Sequence, residues 1–178
     1  LGAQSGDALD AAASAALVRA CAAATKAGGK HAVQAAGLLQ RTVAHGALAL
    51  PDAGDVLDVL ERAAEGAEDA QLRALQTLLP LASNYADVRG MKLFRVLGAA
   101  LRLQQAKAQS VSAAAAATAR QVAGAIVDRA RRETEESGTV ATRATDGAAL
   151  DMGPAAADAY VAAQDALLLL GAAAGART

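Results

Sequence analysis

The chain of 178 residues is nearly devoid of aromatic side chains: Phe94, Tyr85 and Tyr160 are the complete set, and there is no tryptophan. Too few rings remain to stack nucleobases or to line a cofactor slot. The single cysteine, Cys21, excludes an internal disulfide, and an inert buried thiol in a reducing compartment is the expected reading. The two histidines, His31 and His45, would stand about 21 Å apart on a shared helix, too far to hold one metal. Long apolar runs are missing as well. The longest, Ala166 to Ala174, reaches about half of the ~20 residues that a bilayer span needs, so it reads as a core helix. The net charge of −1 gives no global attraction for nucleic acid or anionic membrane, and any charged surface must be local.

Glycine-rich phosphate loops, nucleophile elbows and ligand-spaced clusters of His, Cys or carboxylate are absent, and "GAAAGA" at Gly171 follows no predicted strand. These absences predict a chain with no cofactor or metal that is not an enzyme and does not bind nucleic acid. A Cys21 nucleophile paired with a histidine is the enzymatic rival. The first residues carry neither an initiator Met nor a basic-then-apolar leader, so the native chain is expected to extend in both directions from Leu1 and Thr178.

What the chain has in abundance is alanine, the best helix former, while the β-branched and aromatic residues that build strands are sparse. The expectation is an all-α fold of about seven helices. The first runs from about Asp7 to Lys26 and ends at Gly28-Gly29; the second, His31 to His45, carries Val33, Ala36, Leu39 and Val43 on one stripe. The stretch "ALALPDAGD" is a linker into a third helix, about Ala53 to Gly66, that presents Val56, Leu60 and Ala63. A fourth, "EDAQLRALQTLLPLASNY", contains Pro80, which should kink its last turns unless packing tolerates it.

The fifth, about Val88 to Gln105, sets Leu93, Phe94, Leu97 and Leu101 on one side and Arg89, Lys92, Arg95 and Arg102 on the other. The sixth begins in the polyalanine stretch and aligns Val111, Ala115, Thr118, Ala119, Val122, Ala125 and Ile126, a face where a neighbouring helix comes close; from Asp128 onward its charges mark emergence into solvent. Residues 136–154 have no periodicity and are expected to form a mobile loop before a final helix, about Ala155 to Gly171. Antiparallel helices joined by short turns suggest armadillo- or HEAT-like stacked helical hairpins in a single domain over residues 1–178.

The cationic side of the fifth helix, Arg89, Lys92, Arg95 and Arg102, is the candidate interaction surface, suited to an acidic partner or to anionic headgroups. The bland alternative is a solvated face. An acidic patch at Glu61, Glu65, Glu68 and Asp69 offers a counterpart in a second copy.

Several stretches resemble one family. "LQTLLPLASNYADVRG", "LFRVLGAALRLQQAK" and "SAAAAATARQVAGAIVDR", with "LLQRTVAH" before them and "DAYVAAQDALLL" after, are similar in sequence and order to the N-terminal region of the Mon-two family of Golgi and endosome scaffolds. These are non-catalytic relatives of the large Arf guanine-nucleotide exchange factors. The most specific element is Thr118, Arg120, Gln121, Val122, Asp128 and Arg129.

The resemblance implies a dimerisation and cyclophilin-binding (DCB) domain with an armadillo-like fold. As partners it implies a second copy, other domains of the same protein, Dopey-type proteins, an aminophospholipid flippase and an Arf-like GTPase. The implied location is cytoplasmic, peripheral on trans-Golgi and endosome membranes. Alanine replaces many larger core residues of the family, which suggests slimmer packing, and the family's first helices would precede Leu1. The alternative is the same domain from a catalytic exchange factor.

Overall fold

The computed structural model describes residues 9–49 and 53–137, and of the side chains from 130 to 137 only that of Arg132. Six α-helices make up the described chain: α1 Ala11–Ala27, α2 Gly29–Ala44, α3 Gly54–Ala64, α4 Glu68–Asn84, α5 Met91–Leu103 and α6 Gln109–Ser137. The seventh helix expected over 155–171, and all but the first two residues of the loop expected over 136–154, lie outside the described residues; Glu136 and Ser137 belong to α6.

The helices begin and end for local reasons. Asp10 caps α1, its carboxylate accepting from the Ala13 N–H at 2.7 Å, which satisfies one of the free donors of a first turn. Gly28 and Gly29, at φ 73° and 52°, take the left-handed conformation that turns the chain from α1 straight into α2. Pro80 sits inside α4 without ending it. The linker is less slack than its composition suggests: Leu9 pairs with Leu48 in an isolated parallel bridge, and the Leu9 N–H donates to Ala47 O at 2.9 Å. Ser14, fully buried, holds the same strap, its hydroxyl accepting from the Ala49 N–H at 3.0 Å.

The packing order is that of a stack. α1 meets α2 and α3; α3 meets α4 and α5; α5 meets α6; and α2, α4 and α6 follow one another in a second row, with α4 touching both neighbours in it. Three helical hairpins therefore lie one on the next, with α1, α3 and α5 in one layer and α2, α4 and α6 in the other. The core between the layers is built from Leu39, Leu57, Leu60, Leu75, Leu78 and Leu81, with buried alanines such as Ala36, Ala63, Ala74, Ala100 and Ala115 where helices approach closely.

α6 buries Val111, Ala115, Ala119, Val122 and Ile126, the expected stripe, with Thr118 and Ala125 half-buried at its edge. On α5 the expected face is displaced. Leu93 and Leu97 are buried, but Val96, Ala99, Ala100 and Leu103 complete the buried side, while Phe94 and Leu101 are only half-buried. The cause is position: α5 packs on α3, α4 and α6 at once, so the side read as polar is turned partly toward α3.

Helix ends are closed across the stack. Asn84 of α4 donates to the Val43 and Ala44 carbonyls at the end of α2, Gln71 to Ala64 O at the end of α3, and Ser112 to Gln104 O after α5. Each neutralises last-turn carbonyls that a helix alone leaves unpaired.

Candidate interaction surfaces

The four cations read onto the fifth helix have partners inside the chain; Lys92, Arg95 and Arg102 lie on α5, whereas Arg89 precedes it, because α5 starts only after Gly90. Arg95 is gripped by α3: its Nη2 lies 2.8 Å from Glu61 Oε2 and 2.5 Å from Asp58 Oδ1, and its Nε donates to Glu61 Oε1 at 3.3 Å. Arg102 Nη2 reaches Glu61 Oε1 at 3.3 Å. Lys92 Nζ lies 3.1 Å from Asp87 Oδ2, and the same oxygen accepts from the Ala53 N–H, at 2.9 Å, where α3 has no cap of its own. Arg89 Nε donates to Ala86 O at 2.9 Å. Glu61, which the charge pattern offered to a second copy, is thus engaged within its own chain. Of the other acids in that patch, Glu68 bonds the Ser110 hydroxyl and Glu65 lines an open groove of about 290 Å³ beside Gln71 and Arg102.

Burial alone would push the Glu61 carboxyl up, but the hydrogen bonds and charges of Arg95 and Arg102 override it and hold it below the usual glutamate range. Arg95 is correspondingly raised, chiefly by its hydrogen bond to Glu61, and stays charged. A carboxylate with a depressed folded-state pKa adds stability that is present above its unfolded pKa and lost as pH falls through the folded one. Urea unfolding should therefore show wild-type stability falling between about pH 5 and pH 3 more steeply than that of Glu61→Gln. Equal slopes would show that the tie does not contribute.

The motif residues of α6 divide into an inner and an outer set. Val122 is buried and Thr118 half-buried. Arg129 is half-buried and points back into the stack, its Nη1 donating to Val88 O at 2.9 Å and its Nη2 to Ala82 O at 3.0 Å. The expected emergence into solvent from Asp128 onward fails at this residue because its guanidinium closes the end of α4. Arg120, Gln121 and Asp128 are exposed on the outer face of α6.

Set against known families, residues 9–134 match the Mon2/Sec7/BIG1-like dimerisation and cyclophilin-binding domain. The chain belongs to this family. No curated protein and no solved structure gives a significant match. The match takes in the Leu9 strap, all three hairpins and both sets of α6 motif residues.

One further concavity of this DCB domain, about 240 Å³, lies between α1 and α2 and is lined by Cys21, His31, Gln34 and Leu38 among others. Burial pushes the Cys21 thiol up, opposite to the depressed value of an activated thiolate. Among the described residues no group of three or more metal-ligating side chains comes together, and no helix is long and apolar enough to cross a membrane.

Proposed function

We propose that this DCB domain is a self-associating regulatory module of a large protein related to the Arf exchange factors, acting without catalysis in traffic between endosomes and the trans-Golgi. The observation that carries this reading is the family match across the whole described stack. The α6 motif favours the Mon-two-like scaffold branch over a catalytic exchange factor. In this reading the domain recruits partners to the cytoplasmic face of the membrane, with Dopey-type proteins, an aminophospholipid flippase and an Arf-like GTPase as the candidates. Arg89, Lys92, Arg95 and Arg102 border a docking edge for an acidic partner or anionic headgroups; Arg89 and Arg102 are exposed, the Arg102 side chain at 62%, and Lys92 and Arg95 are half-buried.

Sedimentation of the purified chain at tens of micromolar should give the mass of a dimer, and a monomer throughout that range would sink the self-association. Cosedimentation with anionic vesicles tests the edge separately. Loss of binding in Arg102→Glu is the expected result, and unchanged binding would remove the edge from the proposal.

A further inference from the structure

The α6 helix is unlike the others. At 29 residues it is about 43 Å long, whereas α4 and α5, on which it packs, have 17 and 13 residues, about 25 and 20 Å. Its inner side is committed to the core through Val111, Ala115, Ala119, Val122 and Ile126. Its outer side carries Ala113, Arg120, Gln121, Gly124, Val127 and Asp128, all exposed, with Val127 at 62% one of few large apolar side chains left open to solvent among the described residues. Gly124 lies at the centre of this face, pointing directly away from the buried stripe. A Cβ added there would meet nothing within 4 Å. Glycine weakens a helix interior, and no neighbour among the described residues requires it here. A helix approaching from outside does benefit, since two helix backbones come closest where side chains are smallest.

The charges around Gly124 are arranged symmetrically. Arg120 and Asp128 each stand one turn from it, about 6 Å along the axis in opposite directions and about 40° to either side. Neither side chain forms an ion pair with a described residue. In an isologous contact the same patch must complement itself, with residue i meeting j and j meeting i. Two copies of α6 laid antiparallel on Gly124 meet this condition, because Arg120 of each then comes level with Asp128 of the other. A parallel pairing would set like charge against like.

We infer that the domain dimerises through this face: α6 packs antiparallel on α6 of a second copy, with the two-fold axis at Gly124 and two reciprocal Arg120–Asp128 pairs. The inference rests on the self-association proposed above and names the surface that performs it.

Charge exchange within one chain tests it. Arg120→Glu alone and Asp128→Arg alone each turn both attractive pairs into repulsions and should weaken dimerisation about tenfold or more at low salt. The double variant Arg120→Glu with Asp128→Arg rebuilds both pairs in reverse and should return close to wild type. Under mild oxidation Gly124→Cys should trap a covalent dimer, visible without reductant.

All three positions are exposed, so circular dichroism under conditions where every chain is monomeric should show a folded helical domain throughout, with melting at or above that of wild type for Gly124→Cys and close to it for the charge variants. Single variants that stay fully dimeric, or a double variant that fails to recover, would overturn the α6 pairing while leaving self-association in place elsewhere. So would a Gly124→Cys chain that dimerises but is not trapped. A wild-type chain that never dimerises would overturn both.

Discussion

Replacing Leu78 with alanine should lower the unfolding free energy by about 3 kcal/mol, within the range of buried leucine truncations. Leu78 is 1% exposed on α4, the helix that meets α2, α3, α5 and α6. α4 belongs to the middle hairpin and packs on helices of the other two, so a cavity on its buried side weakens the centre of the stack. For a domain of this size the loss corresponds to a Tm lower by about 9 °C. Leu38, by contrast, is 36% exposed at the α1–α2 groove, and Leu38→Ala should change stability by no more than about 0.5 kcal/mol. Urea unfolding of the two variants side by side is the measurement. A Leu78→Ala loss no greater than that of Leu38→Ala would mean that α4 is not the centre of the stack.

The second large effect is expected at Arg129. Its guanidinium serves the Ala82 carbonyl in the last turn of α4 and the Val88 carbonyl in the connection to α5, from 47 and 41 residues away. Arg129→Met keeps an apolar stem against Leu93 and Ile126 but removes the donors, leaving two part-buried carbonyls without them. The expected cost is about 2 kcal/mol, since hydrogen bonds to a charged group are worth roughly 1.5–3 kcal/mol each and water regains part of the loss. Arg129→Lys, a single point charge without the planar fork, should recover only part of it. Hydrogen exchange at the α4–α5 connection should accelerate in Arg129→Met. If stability and exchange both stay at wild-type values, the residue does not clamp the helices.

Both predictions concern the inside of the stack, whereas the proposed working surface is the outer face of α6. Arg120, Gly124 and Asp128 take no part in the core, so variants there separate association from folding, which variants at Arg129 or Arg95 do not. Exchanging charge at Arg95 would break its ties to Glu61 and Asp58 as well as alter the surface. Among the cations of α5, Arg102 is therefore the better probe of a docking edge.

Sequence alone determined the helical class, most helix limits and the inner face of α6. These follow from interactions within a few residues: alanine's helix preference, the Gly28-Gly29 turn, and the three- and four-residue spacing that aligns Val111, Ala115, Ala119, Val122 and Ile126. It also placed Arg120 and Asp128 in the α6 motif, through resemblance. Tertiary structure alone decided what Arg95 and Arg102 of α5 face, because their acidic partners on α3 lie 34 to 41 residues away and no local period encodes that distance. It decided as well that Arg129 turns inward, that Phe94 stands at the edge of the core, and that Ser14 holds the Leu9 strap. The physical reason is the same in each case. A helical period gives the direction of a side chain around its own axis, but the neighbour on that side is set only when the hairpins stack.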